Sequence, residues 1–233
     1  MQHYAVTNTS FTPSSALQGG EIYYWYVVGD SGSITGPASA TWSFWVTGAA
    51  SNVSVSPALG GPPAGGLGTP TPFTFTFSSP NGWQDIVWTE MEFNYYNIGG
   101  GACFVGFWPG NQQVALMSDN AANGWLWIGS LGQSAATAPN SQCSVNLAQS
   151  SMTVVSPVAI QVTLSITFRA GLPGPQEIWM QAGNDYGTTA YWQQMGNWTT
   201  EASSPNGWAY LIGVKIYFTH QTPADSDKIR TCG

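Results

Sequence analysis

Charged residues are what this chain has least of. It is 233 residues long and contains 4 Lys and Arg against 11 Asp and Glu, a formal net charge of −7, and charged residues make up only 6% of it. Globular proteins typically contain about a quarter. Because nucleic-acid binding depends mainly on Lys and Arg that neutralise phosphates, this composition excludes a nucleic-acid partner. Neutral polar residues must therefore form most of the surface.

Long apolar runs are also missing. The longest covers residues 22 to 28, whereas crossing a bilayer takes about 20 apolar residues, so we expect no membrane insertion. Residues 1 to 20 have neither the basic start nor the apolar stretch of a secretory signal. Either export is directed by sequence outside this chain, or the protein stays inside the cell. The hydrophobic content of 43% is nevertheless sufficient for a sizeable core.

The periodicity that is present is that of β-strands. From Ile160 to Phe168 every second residue is apolar, with Gln, Thr and Ser between. Further strands are predicted at 73–77, 87–93, 102–108, 113–117, 125–128, 177–182 and 191–199. Turn signals such as Pro80-Asn81-Gly82 separate them at short intervals. This pattern predicts an all-β fold, an antiparallel β-sandwich.

A change in composition marks residues 49–72. Gly-Gly-Pro-Pro at 60–63 and Gly-Gly at 65–66 lie within it. Proline has no backbone donor, and glycine loses more conformational freedom than other residues when it is fixed. The segment is therefore predicted to be a linker, with a domain boundary near residue 50 between residues 1–48 and a complete sandwich at 73–200.

Leu17 stands six residues before Tyr23, and an aromatic run follows at residues 42–46. These features resemble the last three strands of a fibronectin type III or related immunoglobulin-like domain. In that family the spacing marks the tyrosine corner, in which the tyrosine hydroxyl bonds the backbone of the preceding turn. The resemblance implies that residues 1–48 are the C-terminal part of such a domain, with apolar faces that they cannot bury alone.

Four motifs lie within residues 73–200. They are Ser79-Pro80-Asn81-Gly82-Trp83, Ala102-Cys103, residues 140–146 and residues 192–198. Together they resemble an immunoglobulin-like repeat that occurs in tandem in large exported bacterial proteins, although such repeats often carry an acidic residue where this chain has Ser79. The resemblance implies an extracellular or cell-surface location, no enzymatic activity and, as partners, the neighbouring domains of a longer polypeptide.

The sequence also repeats itself. Ser-Ser-Pro-Asn-Gly-Trp at residues 78–83 recurs at residues 203–208, and the apolar pattern that follows agrees in both places. The offset of 125 positions corresponds to one sandwich domain. Residues 201–233 are therefore interpreted as the start of a second repeat copy followed by a polar tail.

The cysteines are the strongest chemical signal. Cys103 and Cys143 both lie in strand-like contexts of the complete domain, whereas Cys232 lies in the tail. We expect a disulfide between the first two, which implies an oxidising compartment. Two separate buried thiols are the alternative, and Cys232 is left over in either case.

The sequence contains few residues that could bind a metal ion. The only histidines, His3 and His220, lie near opposite ends of the chain, and no zinc-ligand spacing occurs. Calcium could use the loop pairs Asp119-Asn120 or Asn184-Asp185. These residue types more often cap turns through their own backbone, so neither a metal nor any other cofactor is predicted.

Enzymatic activity is not predicted either. A Ser-His-acid triad would have to recruit a histidine from the incomplete terminal segments. Glu90 and Glu92 share a strand face about 6.6 Å apart, from a rise of roughly 3.3 Å per residue, and could serve a glycosidase. Such i and i+2 neighbours are ordinary on a solvent-facing strand, and the pair belongs to no recognisable catalytic signature.

Tryptophan offers a better functional candidate. Alternation in residues 87–93 places Val87, Met91 and Phe93 on a buried face and Trp88 on the opposite, solvent face with the two glutamates. The predicted ligand-binding set is Trp88, Glu90, Glu92, Trp108, Trp125, Trp127 and Trp179. Exposed indoles stack on sugar rings, and neutral amides beside them bond hydroxyls. The alternative is that these indoles fill the core or cover an interface with an adjacent domain.

These observations predict a non-catalytic spacer or adhesive module of a larger exported bacterial protein, which contacts neighbouring domains or a surface protein. A carbohydrate-binding module that uses exposed tryptophans is the alternative. A coplanar row of exposed indoles would favour glycan binding, whereas buried indoles and a featureless polar face would favour the spacer.

Overall fold

The computed structural model describes residues 4–8, 10–61, 66–133, 140–185, 187 and 189–200. Its strands are β1 Glu21–Trp25, β2 Val28–Asp30, β3 Thr35–Ala38, β4 Trp42–Val46, β5 Ser51–Ser56, β6 Leu59–Gly60, β7 Pro70–Ser78, β8 Ile86–Asn94, β9 Cys103–Trp108, β10 Gln113–Met117, β11 Trp125–Ser130, β12 Cys143–Ser156, β13 Ala159–Phe168, β14 Pro175–Asn184 and β15 Thr189–Thr199. Two short 3₁₀ helices, Trp83–Asp85 and Ala121–Asn123, are the only helices among these residues. Neither resembles a membrane-spanning helix in length or hydropathy.

Most of the strands form two sheets. The larger has the order β11-β10-β9-β8-β14-β15-β6, and the smaller has the order β12-β13-β7-β5. Neighbouring strands are antiparallel except for β6, which pairs with β15 in parallel. One continuous core contains buried residues of both sheets, so the two sheets pack face to face as a sandwich.

Phenylalanine rings lie at the centre of this core. Phe73 of β7 and Phe93 of β8 come from opposite sheets, with ring centroids 4.8 Å apart and edge to face. Phe168 of β13 lies 5.9 Å from the first and 5.1 Å from the second. All three are fully buried. Because each aromatic side chain removes about 150–250 Å² from water, this cluster contributes strongly to stability.

The predicted all-β sandwich is confirmed. Every predicted strand between residues 73 and 199 coincides with an observed one, and the alternating segment 160–168 is β13. β12, the longest of the described strands, was not predicted, because its alternation of apolar and polar residues is broken. Its pairing with β13 shifts register between Asn146 and Ser151, so the two halves of the strand follow different patterns.

The prediction of a linker over residues 49–72 was wrong for much of that segment. Residues 51–56 form β5, which pairs with β7, and residues 70–72 begin β7 itself. Val55 of β5 is buried in the core. The physical reason is that the Gly and Pro residues responsible for the prediction lie mainly between β5 and β7, whereas residues 51–56 contain Val53 and Val55, and β-branched residues favour a strand.

The N-terminal segment forms one long hairpin. β1 pairs with β4, and β2 pairs with β3 further towards the tip. The Tyr23 hydroxyl accepts a hydrogen bond from the backbone N–H of Gln18 in the segment before β1, at 2.8 Å. Large apolar side chains are exposed along the hairpin: Ile22, Tyr24, Trp25, Tyr26, Val27, Val28, Ile34, Trp42, Phe44 and Trp45.

The base of the hairpin is joined directly to the sandwich. Gly48 donates its N–H to Asn81 Oδ1 at 2.9 Å, and Asn81 Nδ2 donates back to Gly48 O at 2.9 Å. A Cβ added to Gly20 would lie 2.5 Å from the carbonyl oxygen of Pro80. The backbones therefore approach at a distance that only glycine permits, and hairpin and sandwich belong to one compact unit.

The buried Asp85 carboxylate holds this joint together from the sandwich side. Its Oδ2 accepts hydrogen bonds from Ser79 Oγ at 2.5 Å, Asn81 Nδ2 at 2.8 Å and Asn184 Nδ2 at 3.2 Å. Asn184 also donates to Gly48 O at 2.8 Å. One side chain thus fixes both amides that bind Gly48.

The predicted disulfide is present. Cys103 of β9 and Cys143 of β12 are bonded and connect the two sheets. Asn140 orders the approach to Cys143, because its Oδ1 accepts from the Cys143 N–H at 2.7 Å while its Nδ2 donates to Ala102 O at 2.9 Å. The predicted repeat at residues 203–208, the rest of the segment 201–233 and Cys232 lie outside the described residues.

Candidate functional site: an aromatic and acidic sheet face

The seven residues of the predicted ligand-binding set lie on one face of the larger sheet. Residues directly opposite in an antiparallel pair share a face. Glu90 stands opposite Gly106 of β9 and Gln181 of β14, and Glu92 stands opposite Phe104 and Trp179. Continuing the register to the outer strands places Trp108, Trp125 and Trp127 on this side, together with Trp88. The core lies on the other side, so this is the outer face.

Two glycines make room for the indoles on this face. A Cβ at Gly106 would lie 2.8 Å from Trp108 Cη2 and 3.0 Å from Trp125 Cη2. A Cβ at Gly183 would overlap the indole of Trp88. Trp88 of β8 therefore lies across Gly183 of the neighbouring strand β14, whereas Trp108 and Trp125 reach over Gly106 of β9. In both places the indoles shield backbone that carries no side chain.

The rings pack on one another and do not form a flat platform. Trp108 is nearly perpendicular to Trp125, at 87° with centroids 5.7 Å apart, and is tilted by 44° to Trp127 at 4.6 Å. Trp127 is 56% exposed, whereas the other four tryptophans of the set are half-buried. The arrangement presents one open indole at the edge of a packed aromatic layer.

Glu92 contradicts its predicted place on the solvent face, because it is fully buried. Its Oε1 accepts hydrogen bonds from Asn94 Nδ2 at 3.1 Å, Ile98 N at 3.3 Å and Gly99 N at 3.0 Å. The loop after β8 thus folds back over the carboxylate. Alternation within β8 correctly put Glu92 opposite the core, but it could not show that a loop covers it.

Aromatic rings cover the same carboxylate from the sheet side. Phe104 stands opposite Glu92 and packs edge to face on Trp125, at 4.9 Å, and on Trp192 of β15, at 5.4 Å. β9 and β15 are separated by two strands, so these two rings reach towards each other across the strand that carries Glu92. The result is a carboxylate under an aromatic cover.

This environment changes the proton affinity of both acids. Burial, with a further contribution from the charge of Glu92, raises the pKa of Glu90 to about 7. Burial also raises the pKa of Glu92, although the hydrogen bonds from Asn94, Gly99 and Ile98 act in the opposite direction. Glu90 is the more accessible of the two, since it is only half-buried.

Several buried polar atoms around Glu92 have no partner among the described residues. They are Glu92 Oε2, Trp179 Nε1 on the strand beside it, and Asn97 Nδ2 in the covering loop. Arg169, the only Lys, Arg or His in the described part of the chain, follows β13 in the other sheet. The two carboxylates therefore have no counter-ion within the described structure. Unpaired buried charge is unfavourable unless it is protonated or neutralised.

Three of the loop residues that were considered as calcium ligands, Asp119, Asn120 and Asn184, form hydrogen bonds within the protein. Asp119 accepts from the Ser141 N–H at 2.7 Å and from Ser141 Oγ at 2.5 Å, and these bonds lower its pKa. Asn120 caps a 3₁₀ helix through Ala122 N, and Asn184 belongs to the joint. No group of three or more His, Cys, Asp or Glu side chains within the described ranges could hold a metal ion.

Sequence reasoning missed Phe104, Gly106, Trp192 and the covering loop. Gly106 was the available signal, because a glycine inside an apolar strand often marks close approach by another group. The contact between Phe104 and Trp192 joins strands 88 residues apart in sequence, which no local pattern reveals.

No protein-family model, curated protein or solved structure matches the chain. Its function must therefore be argued from its own residues.

Proposed function

We propose that this chain is a non-catalytic spacer or adhesive module of a larger exported protein, of the immunoglobulin-like or fibronectin type III-like kind that its motifs resemble. The joint between the hairpin and the sandwich carries this proposal. Only residues 47–50 separate β4 from β5. A spacer must transmit position from one module to the next, and a short, hydrogen-bonded connection does so where a flexible linker would not.

The disulfide supports the exported location, because such bonds persist in oxidising compartments. The low content of Lys and Arg and the net charge of −7 support a role that does not involve nucleic acid. The burial of Glu92 supports a non-catalytic function, since a glycosidase needs two carboxyl groups that both reach the substrate.

Backbone ¹⁵N relaxation of the full chain tests the spacer. If the joint is rigid, amides of residues 21–46 and of the sandwich give the same rotational correlation time. Asn81→Ala should loosen the joint, because it removes the two bonds that Asn81 makes with Gly48 and leaves the bond from Asn184. Asn111→Ala is the matched control, since Asn111 only organises its own turn beside Gln113. Independent tumbling of the hairpin in the unmodified chain would refute a rigid spacer.

Carbohydrate binding is the second candidate, and the open indole of Trp127 favours it. The tilted packing of Trp108 and Trp127 argues for contact with one or two sugar rings over a long flat chain. A glycan array with the full chain, repeated with Trp127→Ala, tests this. Binding that is lost in the variant supports the module, and binding that survives unchanged places the glycan elsewhere.

A further inference from the structure

The outer face has a feature that neither a spacer nor a sugar platform requires, namely an accessible carboxylate without a counter-ion among indoles. Glu90 is half-buried, and no described residue donates a hydrogen bond to it or offers it a positive charge. Its partner along the strand, Glu92, is fully buried with Oε2 unpartnered. Two acids are thus held beside each other, and no described residue supplies a positive charge to either of them.

Indole rings surround Glu90. The tips of Trp108 and Trp125 lie over Gly106, the residue directly opposite Glu90. Directly opposite residues have Cβ positions only about 5 Å apart, so both rings flank the carboxylate. Trp88 precedes Glu90 by two residues on β8 and lies on the same face of the sheet. Its indole extends towards β14, where it lies across Gly183. Parts of three indole rings and the carboxylate therefore lie close together on the outer side of the sheet.

We infer that this face binds a small organic ammonium group, with Glu90 as its counter-ion and the indoles of Trp88, Trp108 and Trp125 as its aromatic walls. A positive charge over an indole face within about 6 Å is attracted by the ring quadrupole, and the attraction grows when water is excluded. Methyl or methylene groups on the nitrogen would replace water against the rings.

Alternative occupants fit less well. A hydrated metal ion prefers several oxygen ligands, and here one accessible carboxylate is surrounded by apolar ring atoms. A neutral sugar would use the indoles but would leave the paired acids without neutralisation. An ammonium group satisfies both, because one ligand provides the missing charge and an apolar surface.

Carbohydrate binding is proposed to use Trp127, which lies at the edge of the same aromatic layer. The ammonium site uses Trp88, Trp108 and Trp125 instead, so substitutions at different residues test the two hypotheses separately. The inference does not depend on the rigid joint. Failure of ammonium binding would leave the spacer untouched, and a flexible joint would leave this site untouched.

The test is a titration of the ¹⁵N-labelled full chain with choline chloride, followed through the indole N–H signals. Each signal is assigned with a single Trp→Phe variant. We expect saturable shifts of the Trp88, Trp108 and Trp125 signals. The neutral isostere 3,3-dimethylbutan-1-ol should bind at least tenfold more weakly, and sodium chloride at equal ionic strength should not produce these shifts.

Glu90→Gln keeps the shape of the side chain but removes its charge, and it should weaken choline binding at least tenfold. Glu177→Gln is the matched control, because Glu177 lies on the same face opposite Asn94 and away from the three indoles. Equal binding of choline and the neutral isostere, unchanged binding by Glu90→Gln, or the absence of saturable shifts would each overturn the inference. Calcium chloride that reproduces the choline shifts would also overturn it in favour of a metal site.

Discussion

The indole of Trp88 occupies the space where Gly183 lacks a side chain. The two residues stand opposite each other on β8 and β14, and a Cβ at Gly183 would overlap the indole ring. The half-buried state of Trp88 follows from this contact. The tryptophan is therefore neither a core residue nor a free surface residue. It is a cover over the backbone of the neighbouring strand.

Gly183→Ala should therefore displace Trp88 and lower the free energy of unfolding by about 1–3 kcal/mol, as overpacking does. In a Trp88→Ala background the same substitution should have little effect, because the clash no longer exists. A urea-denaturation double-mutant cycle measures this coupling. Additive effects of the two substitutions would show that the indole can move aside freely.

Phe93→Ala should destabilise the protein far more than Trp88→Ala. Phe93 is fully buried between the sheets and contacts Phe73 and Phe168, so its removal opens a cavity that typically costs about 3–5 kcal/mol. Trp88→Ala leaves the core intact, and the domain should remain folded. Thermal melts of the two variants compare them directly. A larger loss for Trp88→Ala would contradict the assignment of the strand faces.

Features that depend on neighbouring residues in the sequence were predicted correctly, whereas features that depend on contacts between distant residues were not. Alternation in residues 160–168 is local, and it predicted β13 and its buried face correctly. The face of Glu92 was also predictable, but its burial was not, because the covering rings and loop come from residues such as Phe104, Trp192 and Gly99. The predicted tryptophans lie on one face because of the order of the strands in the sheet. The alternation of apolar and polar residues along the sequence does not reveal that order.

Loss of the disulfide should lower stability without changing the fold. Cys103 and Cys143 are 40 residues apart, and opening a loop of this size removes about 4 kcal/mol in the chain-entropy model. The variant carrying both Cys103→Ser and Cys143→Ser should show this loss in guanidinium titrations, with Cys232→Ser as the control. Non-reducing peptide mapping of the folded protein should recover the two as one linked pair. Recovery of both as free thiols would contradict the bond.

Stability should fall as the pH rises from about 4.5 towards 8. The pKa of Glu90 is raised from 4.5 to about 7 by burial and by Glu92, so the folded state binds its proton more tightly than the unfolded state. This contribution is fully present below about pH 4.5 and is lost as the pH passes through 7; at about 1.4 kcal/mol per pKa unit it amounts to at most about 3 kcal/mol.

Melting temperatures across this pH range measure the effect. Glu90→Gln should flatten the profile, whereas Glu177→Gln should retain it. A profile that rises with pH in the unmodified protein, or one that Glu90→Gln leaves unchanged, would contradict the assigned direction.

The hairpin should depend on the sandwich for its order. Its two cross-strand ring pairs, Tyr23 with Phe44 at 5.8 Å and Trp25 with Trp42 at 6.4 Å, lie on one face of a two-stranded element. A two-stranded hairpin alone is marginal in water, because two strands do not supply a second layer against which to bury such a face. The described contacts that fix it lie at its base, where Gly48 meets Asn81.

Hydrogen exchange on the full chain should therefore show strong protection in β7, β8, β13 and β14, and protection in the hairpin that decreases from the base at Val46 towards the tip at Ile34. Asn81→Ala should accelerate exchange throughout the hairpin and leave the core strands unchanged, because the core contacts do not involve this amide. An isolated fragment of residues 1–48 should exchange rapidly throughout. Cooperative protection of that fragment would show that the hairpin is a small domain in its own right, and that its exposed aromatic rings need no second layer for stability.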